Sequence, residues 1–245
     1  MVRRQFYIPL VIGLLLSFAS NAQLLPSYGE ERAGLSAFTF LKLPIDPAST
    51  GVGGASLAMT EHSFGALINP ALISGGNQQG VFSANRALGG GINHDFVALT
   101  KARKNGQHIA LTLNSLSTGS IIERTVWQPE GTGATTSATL ASVGLGISQA
   151  FSEYFHAGVQ LKYGLEQLGV HRAHNVYLDL GFLYKLDIAD LQFAAALTNF
   201  GPNTPISNMP IGQESALAAS PQMFSMGIQW TAWENDDHSL TPSLQ

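Results

Sequence analysis

Two charged side chains stand out against a background that carries few. Lys162 and Asp179 fall in consecutive stretches where apolar residues alternate with small or polar ones, and both sit on the non-apolar phase. That phase places a cation and a carboxylate on one face of neighbouring strands. An ion pair there lowers the cost of holding charge where water is scarce, so its first chemistry is structural, with a ligand or gating contact as the alternative. His171 and His174 flank a turn, but no cysteine, or carboxylate at a characteristic spacing, accompanies them, and they read as a solvated loop. Gly51, Gly53 and Gly54 could suggest a phosphate-cradling loop. Their spacing is neither that of a P-loop nor that of a dinucleotide fingerprint, and no Lys-Ser/Thr follows, so close backbone packing in the interior is expected instead. Asn69-Pro70 starts a turn or caps a short helix. There is no Gly-x-Ser-x-Gly elbow, no His-Glu-x-x-His helix and no cysteine nucleophile, and dispersed Ser, His and Asp make no triad. A non-enzymatic protein with no cofactor and no metal is expected.

The elements that must position these residues follow from composition and period. Of 245 residues, 45% are hydrophobic and 11% are charged, where a soluble domain carries about 25% charged. Something other than water therefore surrounds much of the chain. A net charge of −4 offers no basic field for nucleic acid. No apolar run beyond residue 22 reaches the length of about 18 that a helical span needs.

Strict alternation is the main signal. Over 155–165 the apolar set is Phe155, Ala157, Val159, Leu161, Tyr163 and Leu165, against His156, Gly158, Gln160, Lys162 and Gly164. Val176, Leu178, Leu180, Phe182 and Tyr184 alternate in the same way with Asn175, Tyr177, Asp179 and Gly181. So do Val143, Leu145 and Ile147 with Ser142, Gly144 and Gly146, and Phe224, Met226 and Ile228 with Ser225 and Gly227. A period of two over segments of about 9–11 residues marks a strand tilted across a bilayer. A soluble sandwich alternates too, but its wet face would be rich in Lys, Glu, Asp and Arg. Here that face is mostly Gly, Ser, Ala and Gln, which suits a narrow lumen. Roughly nine candidate strands follow Gln79 on this rule, with aromatics at segment ends at Tyr154, Phe155, Tyr184, Trp230 and Trp233.

The N-terminus reads as a secretory signal. Arg3 and Arg4 form a basic n-region, Tyr7 to Ala19 an apolar core, and Ser20 and Ala22 the small residues before a cleavage at Gln23. With no cysteine, an exported fold must be held by backbone pairing and burial. The expected organisation is a signal peptide over 1–22, an irregular Gly- and Pro-rich N-terminal plug segment over 23–78, and a β-barrel domain over 79–245.

Three stretches carry a family resemblance: Ala37-Phe38-Thr39-Phe40-Leu41-Lys42-Leu43-Pro44, then Gly51-Val52-Gly53-Gly54-Ala55, then Asn69-Pro70-Ala71-Leu72. With Gly158-Val159-Gln160-Leu161-Lys162-Tyr163, Asp179-Leu180-Gly181 and Asn199-Phe200-Gly201, they resemble the PorV/PorQ family of FadL-like outer-membrane barrels, which serve the type IX secretion system of Bacteroidetes-type bacteria. The family usually has Ala-Arg where this chain has Ala48-Ser49, and Met where it has Val52. The resemblance implies an all-β, antiparallel transmembrane β-barrel of FadL-like kind with the N-terminal segment folded back as a plug. It also implies an even strand count of about 14, as single-chain barrels close with even numbers. Leu240 to Gln245 lack alternation and a terminal aromatic, so the chain is expected to be incomplete at its C-terminus.

The function so implied is that of an outer-membrane interaction protein of the type IX secretion system, holding or receiving secreted cargo or anchoring a surface complex. The alternative is a FadL-like transporter of hydrophobic small molecules. The expected partners are secretion-system or cargo proteins and outer-membrane lipid, and no nucleic acid. In this scheme Gly51, Gly53, Gly54, Asn69 and Pro70 are structural or plug residues, Lys162 and Asp179 are a lumen ion pair, and the loops 119–137 and 201–220 are exposed contact surface.

Overall fold

The computed structural model describes residues 36–59, 64–74, 91–188, 190–205, 217–235 and 238–245, together with the backbone of 80–86. The expected signal segment and cleavage site lie outside these residues, as does the tip of the 201–220 loop. No helix among the described residues is long and apolar enough to cross a membrane.

The fold is all-β, built among the described residues on an antiparallel sheet of nine strands in chain order. These are β1 (Gly80–Arg86), β2 (Asn93–Ala102), β3 (Gln107–Ser117), β4 (Ala138–Ala150), β5 (Phe155–Leu168), β6 (His171–Lys185), β7 (Gln192–Phe200), β8 (Met223–Gln229) and the two-residue β9 (Ser243–Leu244). Among the described residues the ladder does not return from β9 to β1. Among the described residues three two-residue ribbons decorate the connections, pairing Ile121–Ile122 with Thr135–Thr136, Thr204–Pro205 with Leu217–Ala218, and Trp233–Glu234 with Ser239–Leu240.

Connections vary in length at each end of the sheet, and β8–β9, over 230–242, is a long one at the end where β2–β3, β4–β5 and β6–β7 turn tightly. At one end β2–β3, β4–β5 and β6–β7 are joined by short turns; in the first, Asn105 and Gly106 take positive φ, a conformation open to Asn and Gly. At the other end the β3–β4 and β7–β8 connections are long, while Gly169, also at positive φ, makes a short β5–β6 turn.

Alternation along the strands translates into an inverted burial pattern. In β5 the exposed residues are Val159, Leu161, Tyr163 and Leu165, whereas His156, Gln160, Lys162 and Gly164 are buried. Strand β6 repeats it, with Val176, Leu180, Phe182 and Tyr184 exposed and Asn175, Tyr177 and Asp179 buried. In β4, Val143, Leu145 and Ile147 face out while Ser142 and Ser148 are buried. Register stacks the outward residues into rows such as Leu111, Leu145, Leu161 and Leu178, and the outward apolar rows give way to a polar one at Ser117, Thr139, Gln167 and Arg172.

Residues 36–59 and 64–74 lie against the buried face. The segment contains a 3-10 turn (Thr39–Lys42), α1 (Pro47–Gly51), α2 (Gly65–Ile68) and a second 3-10 turn (Pro70–Ser74). Helix α1 starts because Asp46 accepts from the amides of Ala48 and Ser49 and Pro47 occupies a position that needs no donor. The apolar side chains of the segment form the core together with those that the sheet turns inward. Phe38 and Phe40 pack with Leu140, Ala173 and Tyr177, Leu57 and Leu72 with Leu183 and Ala194, and Ile45 and Phe64 with Phe96. Each fully buried Phe or Leu side chain contributes about 1.5–3 kcal/mol.

Candidate functional site

The inner face carries two built clusters, and both draw on residues far apart in sequence. The first lies where β5, β6 and β7 adjoin. Leu178 pairs with Phe200 and Leu180 with Leu197, so Thr198 and Asn199 together oppose Asp179 in a β-bulge. Asn199 is the extra residue, at φ 56°, a left-handed conformation that Asn tolerates. The bulge turns the Asn199 amide inward, where it donates to Asp179 Oδ1 at 2.7 Å. Lys162 reaches across from β5 to place Nζ 2.7 Å from Asp179 Oδ2, and also donates to Asn199 Oδ1. Both charges are almost fully buried. The structure thus brings Lys162 and Asp179 together diagonally, since Asp179 faces Gln160 in the register and Lys162 faces Tyr177. Beside them Gln160 Nε2 donates to Thr112 Oγ1 at 2.7 Å. Glycine at 144 leaves room for that bond, because a Cβ there would overlap both side chains.

The second cluster is a docking slot for Asn69-Pro70. Gly158 of β5 and Gly181 of β6 are direct cross-strand partners. A Cβ on Gly181 would overlap Asn69 Oδ1, and one on Gly158 would overlap the Pro70 carbonyl. The pair of glycines is therefore a bare strip of sheet on which the Asn-Pro backbone lies. Asn69 is fully buried; its Nδ2 donates to the carbonyls of Phe182 and Leu57 at 3.2 and 3.4 Å, and its Oδ1 caps the following turn by accepting from Ala71 N at 3.0 Å. Farther along, Ser148 Oγ lies 3.1 Å from Ala71 O and 2.8 Å from Ser74 Oγ, one of which takes its proton, and Ser74 Oγ lies 2.8 Å from His156 Nδ1. At the other end of the segment Phe38 N donates to the Glu166 carboxylate at 2.6 Å, and the Phe38 ring covers Gly164.

Gly181→Ala should accordingly disturb the fold although it adds one methyl. Overpacking of this kind costs about 1–3 kcal/mol, and the segment 36–74 should become sensitive to protease before the sheet does. Equal stability and equal protection in the variant would show that Asn69-Pro70 does not occupy the slot.

Three sequence expectations are revised. Gly51, Gly53 and Gly54 do not serve close packing, for a Cβ at any of them would meet nothing within 4 Å, and Gly51 and Gly53 are exposed. What requires glycine is conformation: Gly53 and Gly54 take φ 67° and 90° in the turn that ends α1. The loop 201–220 is not simply exposed contact surface. Thr204 is fully buried and accepts from Asn175 Nδ2 at 2.7 Å, Ala218 is buried, and Ala219 O accepts from Ala37 N. Its ends belong to the packing that holds the N-terminal segment. The charge cluster, finally, has a third member beyond Lys162 and Asp179. The Asn199-Phe200-Gly201 stretch is visible in the sequence, but the bulge that aims Asn199 inward is not.

His171 begins β6, and the ring of His174 lies against Tyr163 on the exposed face. Among the described residues no three His, Cys, Asp or Glu side chains gather in a way that could hold a metal ion. Ser74 and His156 touch, but Ser74 Oγ is engaged with Ala71 O and Ser148 as part of the segment's anchorage. Comparison with models of known protein families gives no match, and comparison with curated proteins gives no significant match.

Proposed function

We propose that this protein is an exported outer-membrane β-barrel of PorV/PorQ kind whose lumen is filled by its own N-terminal segment. Its work is to hold secretion-system or secreted cargo proteins at the cell surface. The observation that carries the reading is the inverted burial: leucine, valine and isoleucine face outward on consecutive strands while lysine, aspartate, glutamine and asparagine are buried behind them. Water would penalise such an exterior, whereas lipid favours it. The height of the apolar face agrees. On β5 it runs from Phe155 to Leu165, and ten steps of about 3.3 Å at a tilt of about 40° span about 25 Å, the height of a barrel's lipid-facing band. Aromatic side chains collect at the short-turn edge, where Phe155 pairs with Tyr184 and Tyr184 with Phe193, as an interfacial girdle requires. Short turns mark the periplasmic edge of such barrels and long loops the outer one.

The docking reading is supported by the way 36–59 and 64–74 occupy the inner face through Phe38, Asn69 and Ser74. A second reading, a FadL-like transporter of hydrophobic small molecules, is favoured by one feature. A cavity of about 240 Å³ lies between the segment and strands β7 and β8, lined by Leu41, Leu57, Leu67, Ile68 and Met223 with Thr198 and Asn199.

Fractionation and isolation from the native cell test the proposal. The mature protein, starting at Gln23, should be recovered from outer membranes only with detergent, and it should bring secretion-system or cargo proteins with it. Recovery in the soluble periplasm would sink the barrel reading. Hydrophobic-solute uptake that changes with substitutions at Asn69, with no partner recovered, would replace the docking function with transport.

A further inference from the structure

The β3–β4 connection carries an apolar display that the packing of the sheet does not use. Beyond the polar row of Ser117, Thr139, Gln167 and Arg172 the chain forms a hairpin with Ile121–Ile122 paired to Thr135–Thr136. The hairpin is closed by a ladder of its own. Glu123 N donates to Ala134 O, Thr132 N to Glu123 O, and Thr125 and Gln128 exchange backbone bonds. Gly131 fits beneath, at φ 128°, where a Cβ would strike Ile122 at 2.8 Å. At the tip Val126 and Trp127 are 91% and 92% exposed.

We propose that this tip is the anchor by which the protein docks a folded partner protein, Trp127 entering an apolar pocket on the partner with Val126 against its rim; the inference rests on the outer-membrane reading above. An exposed indole on a preformed ribbon combines large contact area with little ordering cost, the combination found at interface hot spots. Lipid is the less suitable occupant on two counts. The hairpin follows the polar row of Ser117, Thr139, Gln167 and Arg172, at the edge of the continuous outward apolar rows. Its ionisable groups are Arg124 against Glu123 and Glu130, whereas anionic headgroups select clusters of lysine and arginine. The same charges describe the partner's pocket: an apolar socket with a carboxylate on one flank for Arg124 and a cation on the other for Glu130.

The test places the photo-crosslinker p-benzoylphenylalanine at position 127 in intact cells, followed by mass spectrometry of the adduct. The protein partner so identified is then purified and titrated against the detergent-solubilised wild type, Trp127→Ala and Trp127→Phe. A discrete protein adduct is expected, with affinity falling about thirtyfold in Trp127→Ala and largely kept in Trp127→Phe. Adducts to lipid alone, adducts to no other protein, or an affinity equal in wild type and Trp127→Ala would each overturn the proposal. Outer-membrane fractionation and co-isolation from the same cells report on the underlying reading separately. A partner that still binds Trp127→Ala fully leaves that reading standing and removes this one.

Discussion

Asp179→Ala should destabilise the folded protein by about 3–5 kcal/mol, the cost of leaving a buried charge without its partner. The geometry makes the loss larger than that of one ion pair. Asp179 holds Lys162 through Oδ2 and fixes the bulge by accepting from the Asn199 amide through Oδ1. Its removal strands an ammonium on β5 and a backbone donor on β7 together. Lys162→Met should cost less, because Asp179 keeps the Asn199 amide and Asn199 keeps its bond to the Pro221 carbonyl. Combining Lys162→Met with Asp179→Ala should recover part of the larger loss, since no uncompensated charge remains. The measurement is a double-mutant cycle on detergent-folded protein by denaturant or thermal unfolding. Strictly additive losses would mean that the two side chains do not interact, and the β5–β6–β7 register would have to be redrawn.

On the proposed membrane reading, Leu161→Arg should cost about 2–4 kcal/mol and lower the yield of membrane-inserted protein, as a cation near the bilayer midplane does on transmembrane barrels. Leu161 is exposed and sits in the central outward row between Leu145 and Leu178. In water an exposed Leu-to-Arg exchange lies within about 0.5 kcal/mol of neutral, so the variant distinguishes lipid from solvent outside the sheet. Depth dependence gives an internal control: Gln167→Arg, in the polar row at the edge of the band, should cost about 0–1 kcal/mol. Folding of Leu161→Arg into membranes at wild-type efficiency would mean that Leu161 does not face lipid near the midplane.

Much of the sheet is legible in the sequence because a strand writes its geometry locally. Side chains alternate with a period of two, so Val159, Leu161 and Tyr163 separate from Gly158, Gln160 and Lys162 without knowledge of any other strand. The same phase puts Lys162 and Asp179 on one face, but their diagonal contact also needs the register that sets Asp179 opposite Gln160. Asn199 cannot be found that way. Its part in the cluster depends on one residue inserted relative to β6, and alternation along β7 alone carries no sign of a bulge whose partner is Asp179. The glycines divide by the same reasoning. Gly158 and Gly181 matter because cross-strand register sets them side by side under Asn69-Pro70, whereas Gly53 and Gly54 matter through their own backbone angles.

The strand segments, their two faces and the small, polar character of one of them are all written in residue type and period within about ten positions. The coverage of that polar face is not. That residues 36–59 and 64–74 lie on it, that Asn69-Pro70 rests on Gly158 and Gly181, and that the 201–220 loop is tied inward at Thr204 and Ala218 emerge when the chain is folded. Each is a contact between residues far apart in the chain. Such contacts are fixed by strand register and by the space that missing side chains leave, and neither quantity can be read from a local pattern.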